Sequence, residues 1–109
     1  MSELLTILDA AALAAVAARH VRGESVDFEV AGVLVASIGP AGAEFRLGPE
    51  IAEAALGTPD TQPSARGPGW VVFRPRVTDR FAKDRAEAWF GLAVRIGVAP
   101  SGSRSSPAG

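Results

Sequence analysis

Three strand-like segments joined by very short connections lie within residues 26–47, and they limit the folds that this chain can adopt. Apolar and acidic residues alternate over 26–30, which is typical of a half-buried strand. Residues 33–38 are nearly all apolar, as in a central strand covered on both faces, and residues 43–47 alternate again. Connections of two and four residues join only antiparallel neighbours, so the sequence predicts an antiparallel meander.

Helical patterns precede and follow this meander. Apolar residues at helical spacing predict a first helix over residues 3–20 and a last helix over 80–96, with a short helix over 49–56 that begins at a proline. Cations at the end of the first helix suit the negative end of its dipole. Thr78 or Asp79 can cap the last helix.

A segment rich in proline and glycine and one further strand complete the predicted fold. Residues 58–69 are expected to form a loop, and residues 70–76 a fourth strand in which Pro75 indicates an edge position or the strand's end. The predicted class is α+β, with an antiparallel sheet of about four strands, the meander plus one late strand. The N- and C-terminal helices pack on one face of this sheet, which gives a two-layer sandwich. One domain is predicted over residues 1–98, and a disordered, low-complexity tail over 99–109.

Chemically reactive side chains are scarce. The chain of 109 residues has no cysteine, no tyrosine and a single histidine, His20. This excludes disulfides, thiolate metal sites and a cysteine nucleophile, and it leaves a catalytic triad or a zinc site without the usual imidazoles. We therefore predict no catalytic residue, no metal ligand and no cofactor, and the sequence favours a protein that is not an enzyme.

Four individual residues receive structural interpretations. Asp27 and Glu29 are two positions apart on a strand and point the same way, as a carboxylate pair for acid–base catalysis would, but no nucleophile accompanies them. His20 lies at the end of the first predicted helix, where a capping or surface role is expected. Trp89 lies on the apolar stripe of the last helix and is expected in the core.

No segment is suited to a membrane or to export. The longest uninterrupted apolar run, residues 10–18, contains nine residues, whereas a spanning helix needs about 20. The first residues include Glu3 but no lysine or arginine, unlike the start of a signal peptide. We predict a cytoplasmic protein without a membrane partner.

Charge is distributed unevenly, although the net charge is −1. Residues 1–65 contain nine acidic and three basic residues, whereas residues 66–95 contain three acidic and seven basic residues. Guanidinium groups bind phosphate in a bidentate way, and an exposed tryptophan can stack on a base. These properties predict a binding surface on the fourth strand and the corner that follows it. Its candidate residues are Arg66, Trp70, Arg74, Arg76 and Arg80.

The same arginines have a structural alternative. Acidic residues on the polar faces of the meander can pair with arginines across the sheet, which would neutralise the candidate surface. The acids are Asp27, Glu29 and Glu44, and the arginines are Arg46, Arg74 and Arg76.

Several segments are similar to the MmcQ/YjbR family and, more loosely, to the N-terminal domain of TfoX-type proteins: FEVAGVLVASI, EFRLGPEIAEAAL and GPGWVVFRPR with the helix that follows. The resemblance covers residues 26–96 and consists of a hairpin, a proline-glutamate helix and a late GW-V strand. It implies a frataxin-like α+β sandwich and a DNA-binding role. An uncharacterised family labelled luciferase-like shares the late strand and helix. Iron binding of the frataxin type is not implied, because the first helix offers only Glu3 and Asp9 in place of an acidic ridge.

The sequence is compatible with three functions. The first is a non-enzymatic binding domain whose partner is nucleic acid or protein. The second is a homodimer that buries the open face of the sheet, which the apolar residues 33–38 suggest. The third is a small-molecule site between the sheet and the 58–69 loop.

Overall fold

A computed structural model describes residues 2–98. These residues form an α+β fold in which an antiparallel sheet carries N- and C-terminal helices, as predicted. The predicted tail over 99–109 lies outside the described residues. The elements are α1 (Ser2–Ala15), β1 (Ala18–Arg22), β2 (Ser25–Val30), β3 (Val33–Gly39), β4 (Gly42–Arg46), α2 (Pro49–Ala55), β5 (Thr61–Pro63), β6 (Trp70–Phe73) and α3 (Arg80–Val98).

The sheet has six strands in the described residues, not about four, in the order β1-β2-β3-β4-β6-β5. Strands β2, β3 and β4 form the predicted meander, and all neighbouring strands are antiparallel. Ala31 and Gly32 connect β2 to β3 with φ angles of 54° and 80°. Positive φ at both positions is the signature of the type I′ turn, whose twist matches that of a hairpin.

Strand β1 replaces the end of the predicted first helix. The helix over residues 3–20 was wrong beyond Ala15, because Val16 adopts a φ of 57° and the chain turns back. All five residues of β1 then pair with β2 through a turn at Gly23. Pairing with β2 satisfies the backbone N–H and C=O groups that a continued helix would otherwise have satisfied. His20 therefore lies on an exposed edge strand and does not cap a helix.

Strand β5 lies within the predicted loop at residues 58–69. It pairs with β6, so β6 is an interior strand of the sheet. The fourth strand was predicted over 70–76 but ends at Phe73, and Pro75 follows its end. Arg74 and Arg76 consequently do not continue the strand face that carries Trp70.

A β-bulge explains the apolar run over residues 33–38. Phe28 pairs with Ala36 and Glu29 pairs with Leu34, so Val35 has no pairing partner on β2. A Cβ atom added to Gly97 of α3 would lie 2.6 Å from Val35 Cγ1, so Val35 faces α3. The extra residue therefore places two successive apolar side chains of β3, Val35 and Ala36, on the core side of the sheet.

The core lies between the inner sheet face and α3, and α1 packs beside α3. Trp89 is buried, as predicted, and its ring meets those of Phe45 and Phe73 edge to face at centroid distances of 6.0 and 5.5 Å. Asp79 caps α3, since its Oδ1 accepts a 2.9 Å hydrogen bond from the Ala82 N–H. Within residues 2–98, none of the helices has the length and apolar character needed to cross a bilayer.

Candidate functional site

A groove of about 660 Å³ lies where the chain turns from β6 into α3. Its walls are the end of β6 with the corner that follows, the start of α3 and the turn at residues 58–60. This volume falls in the range of small-molecule pockets. Its apolar lining includes Phe73, Pro75, Val77, Phe81, Ala82 and Ala88.

Two apolar side chains on the rim of this groove face solvent. Phe81 is 84% exposed and Val77 is 67% exposed. The sequence places Phe81 beside the apolar stripe of the last helix, but the structure turns it away from the core. Phe81 instead shares its side of α3 with Asp84, Arg85 and Ala88, at spacings of three, four and seven residues. The sequence prediction missed this exposed aromatic residue, and its helical spacing with Asp84 and Arg85 was the signal that could have identified it.

The charged residues around the groove are only partly paired. Arg76 Nε lies 3.5 Å from Asp60 Oδ1, and the Arg76 N–H donates to Asp60 Oδ2 at 3.4 Å. The Arg85 guanidinium lies 5.4 Å from the centroid of the Trp89 ring, as in a cation–π contact. Within residues 2–98, neither Asp84 nor Arg85 forms an ion pair.

A second concavity, of about 530 Å³, lies between α2 and the connection from β5 to β6. Trp70, Ser64 and Leu56 are among its lining residues. The 58–69 segment therefore borders two concave surfaces, one at each end. Of the two, the groove beside α3 is the larger and carries the exposed aromatic residue.

Glu44 anchors the connection between β5 and β6 to the open sheet face. Its two carboxylate oxygens accept hydrogen bonds from Ser64 Oγ at 2.6 Å and from Arg66 Nε at 2.8 Å. The Arg66 guanidinium also lies 5.2 Å from the centroid of the Trp70 ring. Arg66 and Trp70 are thus brought together, as the sequence suggests, but Glu44 already neutralises the arginine.

Asp27 anchors the other end of the same face. Its oxygens accept hydrogen bonds from Ser37 Oγ at 2.7 Å and from Arg22 Nε at 2.9 Å. Glu29 lies 3.6 Å from His20 Nε2 and 3.8 Å from Arg22 Nη2. The predicted pairing of these acids and Glu44 with Arg46, Arg74 and Arg76 was wrong. The strand register places Arg22 and Arg66 beside the acids, since β1 and the β5–β6 connection occupy positions that the sequence pattern did not indicate.

The predicted site residues therefore fall into two groups. Arg66 and Trp70 lie at the open sheet face, whereas Arg74, Arg76 and Arg80 lie at the corner between β6 and α3. Arg74 and Arg80 are exposed and make no ion pair among the described residues. The strand ends before Arg74, and this separates the two groups.

Within residues 2–98, no group of three or more histidine, cysteine, aspartate or glutamate side chains is arranged to hold a metal ion. The chain matches no protein-family model, no curated protein and no solved structure.

Proposed function

We propose that this protein is a non-enzymatic binding domain and that its binding surface is the groove beside α3. The observation that carries the proposal is the exposure of Phe81 on the rim of an apolar concavity. Removing apolar surface from water is favourable by about 25 cal/mol per Å². A partner that covers Phe81 would gain this free energy, so an exposed apolar rim favours binding. The partner is a protein segment or an apolar small molecule.

The carboxylates of the open sheet face support a structural role for that face. Asp27 and Glu44 are each held by two hydrogen-bond donors, which occupy the oxygen atoms that acid–base chemistry would use. The groove offers apolar surface instead, with unpaired charges at its edge.

A fluorescent apolar anion, anilinonaphthalene sulfonate, tests the groove. We expect the native protein to bind this probe, with amide shift changes at Val77, Phe81 and Ala88 in an NMR titration at the lowest protein concentration that gives a spectrum, where self-association through the groove competes least. Ala88→Glu should weaken binding, because it places a charged side chain on the apolar lining. Ala10→Glu, an exposed alanine in the middle of α1, is the matched control and should bind as the native protein does. Equal binding by all three proteins, or shift changes elsewhere, would contradict the proposal.

Nucleic-acid binding is the second candidate. The exposed Arg74 and Arg80, which form no ion pair within residues 2–98, favour it together with the YjbR-like resemblance. Acidic side chains at the same corner, Asp60 and Asp84, offset this positive charge. We expect any binding to labelled duplex or single-stranded DNA to weaken as salt rises, because phosphate contacts release counterions. Arg74→Gln with Arg80→Gln should abolish it, whereas Arg95→Gln, an exposed arginine in the last turn of α3, should not. Absence of binding at low salt would exclude this candidate.

A further inference from the structure

The exposed side of α3 carries a pattern that is symmetric about the peptide bond between Asp84 and Arg85. Phe81, Asp84, Arg85 and Ala88 share one stripe of the helix, and all four are exposed. At equal distances on the two sides of this centre, Asp84 corresponds to Arg85, and Phe81 corresponds to Ala88. Two such helices packed antiparallel would bring each of these residues opposite its complement.

We propose that two copies of this protein associate through this stripe, with their α3 helices antiparallel about a two-fold axis between Asp84 and Arg85. The inference rests on the proposed function, because it names the partner that covers the groove. In the dimer, Asp84 of one copy faces Arg85 of the other, and Phe81 faces Ala88. Since a two-fold interface uses the same surface on both copies, each contact occurs twice.

Charge complementarity supports a second copy as the occupant. Within the described chain, Asp84 and Arg85 make no ion pair, whereas the neighbouring Lys83 and Glu87 pair with each other at 3.1 Å. The contact with Trp89 holds the Arg85 guanidinium at the helix surface. The stripe therefore presents one unpaired acid and one unpaired base in an order that an antiparallel copy complements.

Shape complementarity points to the same occupant. Packed helices lie about 8–10 Å apart, depending on the side chains at the contact, and a small residue opposite a large one favours the closer approach. Ala88 provides the small residue, and the groove beside it has room for an aromatic ring. Burial of Phe81 and Val77 then removes the largest apolar side chains of this rim from water.

The open sheet face is a poorer candidate for the dimer. It was the predicted interface because residues 33–38 are apolar, but the bulge at Val35 turns that apolar character toward α3. The opposite face carries Asp27 and Glu44, and both are already paired within the chain. A second copy on that face would have to remove these charged groups from water.

Charge reversal tests the proposed dimer with the full chain in analytical ultracentrifugation, from about 1 µM to about 1 mM. We expect the native protein to self-associate in this range. Asp84→Arg alone and Arg85→Asp alone should each raise the dissociation constant at least about tenfold, since like charges then meet twice. An equimolar mixture of the two variants should associate again, because each variant complements the other. The protein carrying both substitutions should also self-associate.

Glu24→Arg is a control at an exposed position in the turn between β1 and β2, away from the stripe, and should associate as the native protein does. A native protein that stays monomeric at about 1 mM would overturn the proposed dimer. So would single variants that associate normally, or a mixture that does not recover. A monomer whose probe binding is lost in Ala88→Glu overturns the second copy but leaves the groove as a binding site. A monomer that binds no probe overturns both proposals.

Discussion

Ser37 donates a 2.7 Å hydrogen bond to Asp27 across β2 and β3, and both residues are buried on the sheet face opposite α3. Asp27 is 9% exposed and Ser37 is 2% exposed. A buried carboxylate is tolerated only when hydrogen-bond donors replace the water that it has lost. Arg22 supplies the second donor at 2.9 Å, so a polar cluster holds the first three strands together.

Ser37→Ala should lower the free energy of unfolding by about 1–3 kcal/mol, because it leaves one oxygen of a buried carboxylate without its donor. Urea unfolding followed by circular dichroism measures this change. Ser25→Ala is the matched control, since Ser25 lies on β2 and makes no side-chain hydrogen bond among the described residues. It should change stability by less than about 0.5 kcal/mol. Equal stability of the two variants would contradict the role of the Ser37–Asp27 bond.

Glu44→Ala should expose the connection between β5 and β6 to proteolysis. The substitution removes the acceptor for both Ser64 and Arg66, and the segment then opens more often. We expect trypsin to cleave after Arg66 several times faster than in the native protein, as measured by mass spectrometry over time. Glu53→Ala changes an exposed glutamate on α2 that makes no ion pair in the described part of the chain, and it should leave the rate unchanged. If cleavage after Arg66 is equally fast in both variants, Glu44 does not hold this segment.

Gly97→Ala should destabilise the protein by about 1–3 kcal/mol, because the new methyl group would lie 2.6 Å from Val35 Cγ1 and force α3 away from the bulge. Gly91→Ala provides a control of opposite sign in the same helix. The nearest atom to its new methyl group lies 3.8 Å away, at the end of Arg95. Alanine favours helix over glycine by about 1 kcal/mol, so this variant should be more stable than the native protein. Thermal unfolding that ranks the two variants in the reverse order would exclude close contact between α3 and β3.

Trp89→Ala should cost about 3–5 kcal/mol of stability, since a buried ring between Phe45 and Phe73 is removed. Trp70→Ala should cost less, about 1–2 kcal/mol, because Trp70 is only half-buried. Urea unfolding compares the two variants. Acrylamide quenching of Trp70→Phe, which leaves Trp89 as its single tryptophan, should show a protected ring. Strong quenching of that variant would contradict the burial of Trp89.

Local signals were sufficient for the elements whose residues interact mainly with near neighbours. The start of α3 is determined by residues that are close in sequence. Asp79 caps the helix by accepting a hydrogen bond from the N–H of Ala82, three residues later, and a strong apolar stripe follows. The hairpin at Ala31 and Gly32 is likewise encoded by a two-residue turn between apolar segments. Such features depend little on the rest of the fold, and they appear where the sequence predicts them.

The predicted secondary structure was wrong where a segment could pair with a neighbouring strand that is brought to it by the tertiary structure. Residues 18–22 follow an alanine-rich helix and carry helix-compatible cations, yet they form β1 because β2 offers five paired positions. Residues 61–63 lie in the 58–69 segment, whose prolines and glycines predict a loop, yet they pair with β6. Both edge strands are stabilised by partners and not by their own propensity.

The charged and exposed residues show most clearly which features the sequence determined and which only the tertiary structure decided. The sequence by itself determined the α+β class, the antiparallel meander and a helix with Trp89 in its core stripe, because these follow from periodicity and short turns. Only the tertiary structure decided that Arg22 and Arg66 neutralise the acids of the open face and that Phe81 faces solvent beside a groove. Ion pairs and exposure depend on which strands are neighbours and on the side of α3 that meets the sheet, and both are set by contacts between residues distant in sequence.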